Sequence, residues 1–183
     1  MLVNSSIRVW LGHNRFIKEM KRIKRKPEIV SFDEASKIGI LYDATDERDS
    51  DSVKNYVKHV RSVYKKDILA MGFVDKKITH KSQYAQFGLD FFTRKDLNFR
   101  MIPENPIVNN FINEKFDILI NLNSGKCFPL RYISAMSKAR FRVGRYSSSN
   151  TIYFDLMVQL KGDPPIRTVI DETEHFLRLI KKA

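Results

Sequence analysis

The stretch from Lys37 to Asp75 limits what this chain can fold into more than any other. It opens with an apolar run, KIGILYDA, and passes through a polar, acidic loop, TDERDSDS. Val53, Tyr56, Val57, Val60 and Val63 then recur at i, i+3, i+4, i+7 and i+10, with Lys54, Lys58, Arg61 and Lys65 on the opposite face. A second apolar run, DILAMGFVD, follows. Two short apolar runs bracketing an amphipathic helix are the βαβ pattern of a parallel sheet, and its crossover is right-handed. The Asp, Thr and Ser residues of the loop provide N-cap candidates for that helix.

The rest of the chain extends the pattern. QFGLDFFTRKDLNF places a third strand around Leu89–Phe92, and Asn105 and Pro106 read as N-cap and N1 of a helix carrying Ile107, Val108, Phe111 and Ile112. FDILINL is the clearest strand. RFRVGR predicts a half-exposed strand, with Phe141 and Val143 inward and Arg140 and Arg142 outward. TIYFDLMVQL reads as the last strand; Asp163, Pro164 and Pro165 break it, and a final helix aligns Val169, Ile170, Thr173, Phe176, Leu177 and Ile180. The expected architecture is a Rossmann-like or flavodoxin-like α/β layered fold. It has a mainly parallel sheet of about five strands and four helices, forming one domain over residues 31–183. Residues 1–30 form a basic N-terminal helix or arm. There Ile7, Trp10, Leu11, Ile17 and Met20 fall near helical spacing, and Pro27 ends the segment.

A chain of 183 residues is long enough to bury a real core, and 43% apolar with 30% charged residues suits a folded, soluble protein. No apolar run approaches the roughly 18–20 residues of a membrane span, and the N-terminus lacks the apolar core of a secretory signal. A single cysteine rules out an internal disulfide and a cysteine-based zinc cluster. The expected location is the cytoplasm.

The net charge of +12 is unevenly distributed. Residues 1–30 hold eight Lys/Arg against Glu19 and Glu28, residues 115–145 hold seven against Asp117, and the remainder balances at eighteen of each sign. Excess charge confined to two segments points to an anionic partner. The N-terminal segment is open to three readings: a helix docked on the domain, a membrane-surface helix, or a nucleic-acid arm. In the second segment Lys126, Arg131, Lys138, Arg140, Arg142 and Arg145 are the basic set. Lys126, Arg140, Arg142, Arg145 and Ser147 form the candidate anion-binding site, with Tyr146 available to stack on a base. An edge-strand face that blocks pairing by charge is the competing explanation.

Catalytic and cofactor signatures are weaker. NLNSGKC has a Gly-Lys pair before a helix, but Ile120 stands where a Walker A motif needs its first glycine and Cys127 where it needs Ser/Thr. No G-x-G-x-x-G is present to hold a dinucleotide, so no cofactor is indicated. Cys127 beside Lys126, at a helix start, would favour thiolate. A nucleophile also needs a base, and of His13, His59, His80 and His175 only His80 lies in a loop. The run DATDERDSD lacks EF-hand spacing, and capping explains its carboxylates without a metal; Asp43, at a strand end, is the one residue there worth testing.

The segment FDILINLNSGKCFPLRYISAMSKARFRVGRY, with KIGILYDA upstream and FDLMVQL downstream, resembles a family of uncharacterised Bacteroidetes proteins, a domain of unknown function. The resemblance covers most of the chain, including the basic N-terminal helix and LDFFTRKDLN. It implies a small cytoplasmic bacterial protein and brings no established activity with it. More distantly, a strand, polar loop and helix followed by SKARFRVGR is similar to the N-terminal half of heptosyltransferase-like glycosyltransferases. There a YDLVIDL-type strand precedes a GARRRIGF-type strand, and the sugar nucleotide binds mostly through a second domain. That likeness implies layered α/β architecture.

Taken together, these features lead to a basic α/β domain that binds rather than catalyses. RNA or a ribonucleoprotein is the leading partner, ahead of an anionic membrane surface. A small enzyme or a nucleotide or sugar-phosphate binder is the alternative.

Overall fold

A computed structural model describes residues 5–20, 23, 25–76, 88–124, 127–148 and 150–180. In chain order the elements are α1 (Ser5–Met20), β1 (Lys37–Asp43), α2 (Glu47–Val63), β2 (Asp67–Val74), β3 (Leu89–Thr93), α3 (Pro106–Asn113), β4 (Ile118–Asn121), α4 (Phe128–Met136), β5 (Phe141–Arg145), β6 (Leu156–Val158) and α5 (Ile166–Leu179). The six strands pair in the order β3-β2-β1-β4-β5-β6, and every pairing is parallel. This is the doubly wound order, in which the chain leaves β1 in one direction across the sheet and β4 in the other.

Side-chain alternation along the central strand divides the core in two. Ile38, Ile40 and Tyr42 of β1 pack with Val53, Tyr56, Val57 and Val60 of α2 and with Val169, Ile170 and Leu177 of α5. Leu41 points to the other side, toward Val108 and Phe111 of α3 and Leu130 and Ile133 of α4. The α2 register follows the predicted stripe from Val53 to Val60, with Val63 exposed at the end of the helix, and Asp46 caps the helix by accepting from the Arg48 N–H at 2.9 Å. Asn105 caps α3 in the same way, with Pro106 in the first turn, as expected.

Two regions differ from expectation. β5 is not half-exposed: Phe141 to Gly144 are all buried. β6 pairs along its outer side, although β6 spans only Leu156–Val158 of the longer predicted strand. Thr151 to Tyr153 form a turn instead, and Tyr153 and Phe154 fold back onto the α4 side of the sheet. A Cβ on Gly144 would lie 2.5 Å from the Phe154 ring, so glycine is what lets that ring cover the strand.

The N-terminal helix is part of the layer, not a free arm. Phe16 is fully buried, its ring centroid 6.0 Å from Phe128, 5.8 Å from Tyr132 and 5.3 Å from Tyr153. Gly12 lies so close to the Arg100 carbonyl and the Phe128 ring that a Cβ there has no room. α1 therefore fills the position beside α4 where a doubly wound fold would place a helix between β5 and β6. None of the described helices is long and apolar enough to cross a membrane.

Candidate functional site

In an open parallel sheet the ligand crevice lies beyond the carboxyl ends of the strands, where the winding reverses. Here that point falls between β1, ending at Asp43, and β4, ending at Asn121. Asn121 is buried and ties β4 to α4, its Nδ2 donating to Ser134 Oγ at 2.9 Å while its Oδ1 accepts from the Asn123 N–H at 3.0 Å. Asp43 accepts from the Thr45 N–H at 2.9 Å, and Thr45 Oγ1 accepts from the Asp75 N–H at 2.9 Å, joining the ends of β1 and β2.

A crevice of about 930 Å³ opens on the α2–α5 side of this point, lined among others by Asp43, Asp46, Asp49, Asn123, Arg145 and Asp163. Its polar character is acidic. Burial, and then the Asp46, Asp43 and Asp163 carboxylates, raise the Asp49 pKa. The Arg48 side chain, 2.7 Å away, and the Arg48 N–H hold the Asp46 carboxyl at about 2. The α2 N-terminus, where a doubly wound dinucleotide site receives pyrophosphate, is thus already occupied by a carboxylate of the chain itself. Among the described residues no cluster of three or more His, Cys, Asp or Glu could hold a metal ion.

The predicted anion-binding residues fall in three places. Arg140 stands at the entrance to β5, 2.8 Å from both Glu28 and Asp117. Arg142 is buried and donates through Nη2 to the Ser137 carbonyl. Burial, reinforced by repulsion from Arg25, brings its pKa down to about 10. It faces the interior because β6 and the segment leading to it cover β5; the outward orientation expected from alternation does not hold. Arg145, at the far end of the strand, lines the crevice but is held by Asp163 at 3.0 Å and the Gly162 carbonyl at 3.3 Å. Ser147 lies in the following turn, where its carbonyl accepts from the Asn150 N–H at 2.9 Å. Lys126 lies outside the described residues. A five-residue strand separates Arg140 from Arg145 by about 17 Å, so these two cannot share one phosphate.

Cys127 is the N-cap of α4 as expected, but its thiol is not activated. Burial raises its pKa to about 12, outweighing the helix start and the nearby Arg131. His13, His59 and His175 each lie against an aromatic ring, of Phe16, Tyr64 and Phe176 respectively. His80, the loop histidine, lies outside the described residues.

The two basic segments do meet. Arg25 donates to the carbonyls of Ala139 at 3.2 Å and Arg140 at 2.8 Å and pairs with Asp155, and the Glu28 N–H donates to the Arg140 carbonyl at 3.1 Å. The contact lies at the amino end of the sheet, opposite the crevice. The carboxylates there are engaged: Glu28 and Asp117 with Arg140, Asp155 with Arg25, and Glu114 with Lys37 at 3.1 Å. Lys26, Lys115 and Lys138 are exposed, and none of them makes an ion pair among the described residues. The Lys138 N–H donates to the Ile112 carbonyl, which sets it beside the α3–β4 turn carrying Lys115. Lys26 and Lys115 were not singled out in the sequence, because nothing local marks an unpaired lysine.

A family model matches residues 11–180, from within α1 to the end of α5. The chain belongs to a family of unknown function, DUF6913. The match takes in the second part of α1, which includes Phe16, in keeping with the place of this helix in the layer. No curated protein and no solved structure matches the chain.

Proposed function

We propose that this member of the DUF6913 family binds an anionic polymer, RNA or a ribonucleoprotein, through the amino end of its sheet. The observation carrying the proposal is the junction of the two segments that hold all of the excess charge. Residues 1–30 and 115–145, separated by most of the domain in sequence, abut at Arg25 and Arg140. The acidic groups at the junction are bound internally, which leaves Lys26, Lys115 and Lys138 to contact phosphates. Arg140 and Arg25 hold this surface together and are not the contacts themselves. The crevice at the opposite end is acidic, which argues against a nucleotide or sugar phosphate there.

A specific observation favours a second reading. Ile7 and Trp10, 50% and 62% exposed, stand outward on α1 one turn apart, on the same helix as exposed Arg15 and Lys18. Such a face suits an anionic membrane surface.

Fluorescence anisotropy of a labelled single-stranded RNA across a salt series tests the first reading. The expected result is a steep fall in affinity with salt. The triple variant Lys26→Ala, Lys115→Ala, Lys138→Ala should flatten the log–log slope by about 2, at roughly 0.7 per lost contact. Affinity no better than that of a charge-matched control protein rejects RNA binding. Co-sedimentation with phosphatidylserine vesicles that is lost in Trp10→Ser would favour the membrane surface.

A further inference from the structure

On the α4 side of the switch point lies a second, smaller cavity of about 420 Å³. Val9, Phe73, Met101 and Phe128 give it an apolar wall, and Asp43 and Arg131 bring opposite charges to it. Arg94 and Asp75 also line it, but they bind each other as a bidentate pair, Nη2 to Oδ2 at 2.9 Å. Asp43 and Arg131 have no such partners. Asp43 accepts the single Thr45 N–H and makes no ion pair among the described residues. The Arg131 guanidinium lies over the Tyr153 ring at 5.8 Å, and its Nε is buried without a hydrogen-bond partner. Arg131 is the one arginine of residues 115–145 that neither a carboxylate nor a carbonyl of the described chain receives. Both charges act on the Cys127 thiol, Asp43 raising its pKa and Arg131 lowering it, so they share one neighbourhood.

A guanidinium that lines a cavity and has no carboxylate or carbonyl acceptor among the described residues leaves a place for the anionic group of a ligand. The remaining wall narrows the choice. Asp43 and Asp75 oppose a dianionic phosphate, while a simple carboxylate on Arg131 leaves Asp43 without a cationic partner. The volume is near the lower end of the range for small-molecule sites, roughly 300–1,000 Å³.

We propose that this cavity binds a small zwitterion with an apolar body, a free α-amino acid being the simplest of its class, with its carboxylate on Arg131 and its ammonium on Asp43. The site is independent of polyanion binding at the other end of the sheet. The Arg–carboxylate contact supplies planar, charge-assisted hydrogen bonds and the Asp–ammonium contact selects for the second charge. The aromatic and aliphatic wall selects an apolar side chain.

Isothermal titration of the full chain with the twenty amino acids, each beside its decarboxylated amine and its deaminated acid, and with inorganic phosphate, tests this assignment. At least one apolar amino acid should bind, with its amine and acid counterparts about 10-fold weaker or more. Arg131→Gln and Asp43→Asn should each weaken binding by about 10- to 100-fold. Arg131→Lys, which keeps the charge and changes the fork, should fall between wild type and Arg131→Gln; circular dichroism confirms that each variant is folded. The assignment is overturned if the acid or phosphate alone binds as tightly as the amino acid. It is equally overturned if nothing in the panel binds at up to about 10 mM, or if folded Arg131→Gln retains full affinity.

Discussion

Truncating Phe16 to alanine tests whether α1 is structural. The ring is fully buried and meets four others, those of His13, Phe128, Tyr132 and Tyr153. Deleting it removes the transfer free energy of a phenyl group and leaves a void bounded by α4 and the β5–β6 connection. α1 cannot slide inward to fill that void, because Gly12 is already against the Arg100 carbonyl and the Phe128 ring. Phe→Ala at such sites costs about 3–5 kcal/mol. Urea unfolding followed by far-ultraviolet circular dichroism, with a slope of about 2.5 kcal/mol per M, should show a midpoint lower by about 1–2 M. A loss under about 1 kcal/mol with α1 amides still protected from hydrogen exchange would refute the packing argument. Loss of protection confined to α1, with the global transition unmoved, would show that the helix is a separate unit and not part of the layer.

Two further predictions concern titration. Burial alone would raise the Asp117 pKa, but the Lys37 and Ser36 N–H groups and Arg140 together bring it below the usual carboxylate value. Its contribution to stability is therefore present above about pH 4 and lost as the pH falls through the lower folded value. Asp117→Asn should cost about 1–2 kcal/mol at pH 7 and flatten the pH dependence of the urea midpoint below pH 4. The Cys127 thiol, raised to about 12, should react with Ellman's reagent at pH 8 about 10³-fold more slowly than a free thiol near 8.5 until the chain is unfolded. Rapid labelling of the native protein would contradict the raised pKa.

What could be read from the sequence depended on whether the determining interactions were local. The β1–α2–β2 unit was legible because the valine stripe and the acidic cap lie within one run of residues. α3 was legible because Asn105-Pro106 is a start signal in two letters. The surroundings of β5 were not. RFRVGR alternates identically whether or not another strand lies beside it, and the partners of Arg142 and Gly144 come from Ser137, Asp155 and Phe154, which no periodicity links to them. The spatial arrangement of the candidate anion-binding residues was hidden for the same reason. Arg140 and Arg145 are close in sequence, but a strand carries them to opposite ends of the sheet. The segment-level charge imbalance held more information than any single arginine, because it depended on sums and not on orientation.

The seat of α1 also has a consequence in time. The helix is translated before any strand, yet the surface that receives it includes Tyr153 and lies beside Asp155, which pairs with Arg25 across 130 residues. At about 5–20 residues per second, roughly 7–26 s pass between the emergence of the two partners. Phe128 and Tyr132 emerge earlier, but until Tyr153 and Asp155 follow, the seat for the apolar face of α1 is incomplete.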